Sequence, residues 1–256
     1  MAARLEQEEG ESMGNNDTLC GWGEEARVRY YVENVGVTVP RRDEQLAFVL
    51  DLFPWPADAP LQVLDLGTGF GALTREILTR FPHSRVTCID GSGEMMKLAR
   101  ERLALYGERV TLRLGDFAYP SWYNQLPGGY DAAVSALAIH HVTNERKREL
   151  YAEVFGLLKP GGVFINDDSI LTPQPWQARI TSLRYCYIQE REQTLRGLTR
   201  SIEEITAERE AHASRHQNYK APLRDQLEWL SQAGFALVDC FWKYLDQAIF
   251  GGIKAD

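Results

Sequence analysis

Three carboxylates stand beside glycines at spacings that could hold a small polar ligand. Asp65 lies two residues before Gly67-Thr68-Gly69-Phe70-Gly71, Asp90 precedes Gly91-Ser92, and Asp116 sits between Gly115 and Phe117. Glycines spaced in this way let backbone approach a ligand closely. A carboxylate so near the turn repels phosphate, so Asp65 suits a cationic or amine-bearing ligand. No Gly-Lys-Ser/Thr ending follows, which excludes a triphosphate-cradling loop. With Ala72, the same turn also passes as the dinucleotide form Gly-x-Gly-x-x-Ala, and the turn alone does not choose. Asp90, 23 residues beyond Gly67, stands where an acid meets a ribose diol in either class. Asp116 separates the two readings. A dinucleotide site gives no reason for an acid there, whereas an adenine amino group needs an acceptor.

His140 and His141 are the other residues with chemistry to offer. A neutral imidazole there could deprotonate a hydroxyl or amine; equally, it could only shape a pocket or cap the next helix. Glu208, His212 and His216 recur at four-residue spacing, so both imidazoles could share a helix face. Their order is not that of a zinc protease, and a solvated lid-edge face is the expected reading, with no metal.

Elements that could position these residues follow from the apolar pattern. Leu61–Leu66 is a short apolar run with one acid, as in a buried parallel strand. Leu73, Ile77, Leu78 and Phe81 then recur at helical spacing up to Pro82. Further strands are expected at 85–90, 110–114, 130–138 and 162–166, the last ending at Asp167-Asp168. Ser92 and Thr143 are expected to cap the helices that follow, the second running through Leu158 to Lys159-Pro160-Gly161-Gly162. Before the first strand, residues 41–53 form an amphipathic helix. After the fifth strand, two helical stripes (Trp176, Ile180, Leu183, Tyr187, then Leu195, Leu198, Ile202, Ile205) suggest a lid inserted over about 170–220. A helix over 222–232 and a hairpin of 235–242 with 247–254 complete the chain. The expected fold is α/β and doubly wound, a seven-stranded mostly parallel sheet with a C-terminal antiparallel hairpin and a helical lid insertion.

In this order, Asp65-x-Gly67-Thr68-Gly69-x-Gly71, Asp90, Gly115-Asp116-Phe117 and Leu158-Lys159-Pro160-Gly161-Gly162 resemble the class I S-adenosylmethionine-dependent methyltransferases. The resemblance covers roughly residues 45–170 and the last 30. It implies S-adenosyl-L-methionine as cofactor. Asp65, Gly67, Thr68 and Gly69 would then hold the methionine moiety, Asp90 and Gly91 the ribose, and Met95, Gly115, Asp116 and Phe117 the adenine. Ala136, at the end of the fourth strand, would join the same site. His140 and His141 fall on the acceptor side as catalytic candidates. Tyr30, Asp168, Arg184 and Tyr185 are placed beside the substrate by topology. The aromatic segment 21–40 either packs on the domain or acts as a flap over the cofactor.

The activity so implied is methyl transfer to an O, N or C atom of a small molecule. No Asn-Pro-Pro-Tyr follows the fourth strand and no cysteine pair occurs, which argues against amino-group methylation of bases or glutamine and against a cytosine-type covalent mechanism. One alternative is a carboxy-S-adenosylmethionine synthase-like enzyme, with Arg179, Arg184 or Arg191 reaching an extra donor carboxylate. Another is a non-catalytic cofactor-binding subunit, and a dinucleotide oxidoreductase is more distant.

Composition narrows the partners. At 44% hydrophobic and 25% charged residues the chain is globular in type. Its net charge of −8 lies mostly in the first 25 residues, which hold seven acids against one base. The body is nearly neutral and shows no clustered basic footprint for nucleic acid. No apolar run is long enough to span a membrane, and the start is no secretory signal. Cys20, Cys88, Cys186 and Cys240 are scattered and read as reduced thiols of a cytoplasmic protein. The expected organisation is an acidic disordered leader over 1–20 and one domain over 21–256. The expected partner is a small-molecule substrate, with homodimer formation left open.

Overall fold

Seven strands make one sheet: β1 (Gln62–Leu66), β2 (Arg85–Asp90), β3 (Val110–Leu114), β4 (Tyr130–Ala136), β5 (Leu158–Ser169), β6 (Ala236–Tyr244) and β7 (Gln247–Ile253). The structure, a computed structural model, describes residues 22–124, 126–213 and 218–255. The acidic leader over 1–20, and Cys20 with it, lies outside the described residues. The strand order is β3-β2-β1-β4-β5-β7-β6. The first five strands pair in parallel, while β7 runs antiparallel between β5 and β6. β1 and β4, in the middle of this order, are buried along nearly their whole length. β6, at the edge, alternates half-buried and exposed positions, as a strand covered on one face does.

Helices cover both faces. They are α1 (Glu25–Thr38), α2 (Arg42–Asp51), α3 (Ala72–Arg80), α4 (Gly93–Leu103), α5 (Asn144–Leu157), α6 (Trp176–Arg196), α7 (Ile202–Ala213) and α8 (Leu223–Gln232). On one face, Val49, Leu73, Ile77 and Leu103 from α2, α3 and α4 pack on Val63, Val86 and Val134. On the other, Leu150, Tyr151 and Leu230 from α5 and α8 pack on Leu64, Ala133 and Phe164. Burying such side chains contributes about 1.5–3 kcal/mol each, the main force holding the sheet between its helices. Ser92 and Thr143 cap α4 and α5 as expected, accepting from the amides of Met95 and Arg146.

Three expectations are corrected. The fifth strand is longer than 162–166, because Leu158 already pairs with Tyr130 and the exposed Lys159–Gly161 bulge lies within the strand. The segment 21–40, given no regular structure from sequence, is largely the helix α1. The second lid stripe is not one helix: the backbone turns at Gly197, leaving Leu195 and Leu198 exposed, while Ile202 and Ile205 belong to α7. Val37 of α1, Ile188 of α6 and Ile205 of α7 form a small core of their own, so the insertion stacks on α1. No helix among the described residues is long and apolar enough to cross a membrane.

Candidate active site

Two cavities open at the carboxyl ends of the parallel strands, and they share a wall. The first is the cleft expected from the glycine turn. Gly67, Gly69 and Gly71 all take positive φ, and a Cβ built on Gly67 would lie 2.2 Å from that of Ala138. Only glycine fits where the β1 turn passes the end of β4. Asp65, Gly67, Thr68, Gly69, Asp90, Gly91, Met95, Phe117 and Ala136 all line this cleft, as the sequence implied. Gly115 and Asp116 do not. Asp116 instead turns one oxygen to the amide of Ala118 at 2.8 Å, while its other oxygen is buried without a hydrogen-bond partner among the described residues. That second oxygen is an acceptor in need of a donor.

Asp65 is buried, and its Oδ2 accepts from the hydroxyls of Thr68 and Thr74 at 2.7 and 2.6 Å. Burial raises its pKa, which the two hydroxyls and nearby Arg42 oppose. Asp90 accepts from the amides of Gly69 and Ser92, both at 2.8 Å, tying the glycine turn to the end of β2. Burial pushes its pKa up to about 6 against those two hydrogen bonds. A cation or a pair of hydroxyls near these acids would favour their charged forms.

The sequence reading missed several walls. Arg42, Phe70, Leu73, Leu137 and Ala138 join the cleft, and Trp22 and Tyr31 lie across it. Trp22 and Tyr31 meet edge to face at 5.1 Å, and Tyr31 in turn meets Phe70. Among the two readings of segment 21–40, the aromatic residues were the available signal for these walls. With them in place the cleft encloses about 70 Å³. Arg42 pairs with Asp167 at 2.8 Å in a nearly dry setting. Burial pushes the Asp167 pKa up to about 7 even though Arg42 opposes it.

The second cavity holds about 310 Å³ and contains Tyr30, His140, Arg184 and Tyr185. It meets the first along Trp22, Tyr31, Leu137 and His141, which line both. Leu137 follows β4 at φ 58, a left-handed turn no apolar pattern reveals. Asp168 is not in the cavity wall; it lies behind His140, its Oδ1 at 2.5 Å from Nδ1 of that ring. The adjacent His141 does something different, accepting from the indole Nε1 of Trp22 at 3.2 Å. Arg184 is turned to Asp246 and to the carbonyl of Thr38. Tyr30 donates to Glu208 at 2.6 Å, and burial together with that acid pushes its phenol up to about 12. The side chains of His212 and His216, named beside Glu208 in the metal reading, lie outside the described residues.

Known proteins agree with this layout. Residues 63–162 match the model of a methyltransferase domain. An uncharacterized methyltransferase of Anoxybacillus flavithermus is 30% identical over 48% of this chain and 54% of its own length. The chain spans about half the length of the curated relatives it matches. Among solved structures, an O-methyltransferase family protein from Burkholderia thailandensis superposes with a TM-score of 0.63 at 17% identity, covering 92% of this chain and 62% of that one. PigF, solved with SAH, gives 0.61 at 18% identity, covering 91% and 60%. Residues 63–162 thus form a methyltransferase-type domain, and the chain as a whole shares the fold of these solved methyltransferases.

Proposed function

We propose that the protein transfers the methyl group of S-adenosylmethionine to a hydroxyl of a small molecule held in the second cavity. The shared wall of Trp22, Tyr31, Leu137 and His141 carries this reading, since it sets a donor cleft directly against a separate acceptor space. The cleft's residues fit such a donor. Glycines leave room for its methionine portion and Asp90 stands at the ribose position; Asp116, outside the cleft wall, keeps an unpartnered oxygen of the kind an adenine amine needs. When bound, the sulfonium supplies an electrophilic methyl and a neutral thioether leaving group.

The chain's own task is then orientation and proton removal. Facing the Asp168 carboxylate, His140 keeps its proton on Nδ1 and leaves Nε2 with the lone pair. That nitrogen is the base that takes the hydroxyl proton as the oxygen attacks. His141 has its Nε2 engaged by Trp22 and serves as wall rather than base. The likeness to an O-methyltransferase family protein supports an oxygen acceptor, and the SAH-bound neighbour supports the donor.

The test is calorimetric titration with S-adenosylmethionine and S-adenosylhomocysteine, followed by an acceptor screen with labelled methyl donor. Donor binding and label transfer to a hydroxyl compound are expected. Absence of donor binding would overturn the reading.

A further inference from the structure

The second cavity differs from the rest of the molecule in its charge. The chain carries −8 overall, yet the ionisable side chains around this space are mostly cationic. Arg27 stacks on the Trp22 ring at 4.3 Å and is left aside. The remaining charged residues in the described lining are Arg184, Arg209 and Lys220 against one acid, Asp246. That acid is shared, because Arg184 Nη1 and Lys220 Nζ both reach its Oδ2, at 2.6 and 2.9 Å. Burial works against the Asp246 carboxylate, but the two cations hold its pKa well below the usual range. One carboxylate therefore serves two cations, and Arg209, set against the Tyr30 phenol, adds a third.

Like charges in a partly enclosed space repel more strongly than in water, and an anion placed among them removes that penalty. The planar fork of an arginine such as Arg209 matches a carboxylate in shape, while Arg184 and Lys220 add positive charge beside it. Aromatic faces of Trp22, Tyr30, Tyr31 and Tyr185 line the same cavity, and Trp22 and Tyr31 also border the donor cleft. A volume of about 310 Å³ is at the small end for ligand sites, enough for a single-ring compound.

We propose that the acceptor is a small carboxylic acid, its carboxylate held among Arg184, Arg209 and Lys220 and its body laid against Trp22 and Tyr31. This rests on the methyl-transfer reading and names the class of its substrate. Such a molecule would present a hydroxyl toward the donor cleft and His140 while its charge stays at the far end.

The experiment titrates the full chain, with S-adenosylhomocysteine added first, with para-hydroxybenzoate, para-hydroxyphenylacetate and salicylate and with the amide of each. At least one acid is expected to bind about tenfold or more tightly than its amide, as a charge-assisted contact provides. Lys220→Gln and Arg209→Gln should each shrink that preference several-fold, and Lys220→Arg should restore it. Arg209 is on the lid, so its variant remains informative if the Lys220 variant fails to fold. Amides binding as well as acids, or no acid binding, would overturn the proposal. S-adenosylhomocysteine affinity is read in the same titrations, so loss of donor binding counts against the activity and not against the choice of acceptor.

Discussion

The indole Nε1 of Trp22 donates to Nε2 of His141 at 3.2 Å, across 119 positions of sequence. This contact joins the first described residue to the turn after β4 and closes the boundary between the two cavities.

Trp22→Ala should therefore loosen the cleft's cover. Removing a large aromatic wall forfeits about 1.5–3 kcal/mol of contact, so S-adenosylhomocysteine should dissociate roughly tenfold faster or more. Stopped-flow measurement of the dissociation rate checks this. An unchanged rate would mean that the indole does not cover the donor.

The two histidines should separate kinetically. His140→Ala is expected to lower turnover by about 10²–10⁴-fold, the usual range for a lost general base, with donor affinity little changed. His141→Ala should affect donor affinity as well, because His141 borders both cavities and holds Trp22. Steady-state rates with an accepted substrate, beside calorimetry, would distinguish them. A fully active His140 variant would remove that residue from the chemistry.

Two glycine-to-alanine changes should act in opposite directions. At Gly67 the new methyl would lie 2.2 Å from Ala138 Cβ on a backbone of positive φ, so donor binding and stability should both fall, by about 1–3 kcal/mol in stability. Gly36 sits within α1 with open space around it, so alanine there should stabilise by up to about 1 kcal/mol. Urea unfolding of both variants is the check.

Acidity should favour the ligand-free fold. Asp90 and Asp167 have pKa values raised to about 6 and about 7 from 3.8. A raised folded-state value contributes stability that is present below the unfolded value and lost as pH rises through the folded one. Stability from these two acids should therefore decline between about pH 4 and about pH 7. Asp246, with its lowered pKa, acts in the opposite sense and in a more acidic window. Urea midpoints across that range should fall with rising pH, and Asp167→Asn should flatten the decline.

Much of the glycine-turn cleft was legible because its elements are local. One short strand, one glycine turn and one helix place Asp65, Gly67 and Gly69, and strand-end position places Asp90. Period and punctuation also disclosed the C-terminal hairpin, since Gln247–Ile253 is bounded by a turn at Leu245. What stayed hidden depends on distant contacts. Nothing in the sequence pairs Arg42 with Asp167, or sets Asp168 behind His140 rather than in the cavity wall. Asp116 was singled out by its place after β3, but its side chain turns toward Ala118 and stays out of the cleft wall, a loop detail with no periodic signal. The lid stripe failed at Gly197, where apolar spacing continued although the backbone did not.

Ser92 holds more than the start of a helix. Its hydroxyl donates to the carbonyl of Trp22 at 2.6 Å while accepting from Met95, and its own amide is held by Asp90. The segment carrying Trp22 is thus latched to the very residue whose amide braces Asp90. Parting Trp22 from Ser92 would leave that hydroxyl with a proton to offer and no acceptor. Unfastening the entrance and freeing a donor on its inner face would then be one and the same step.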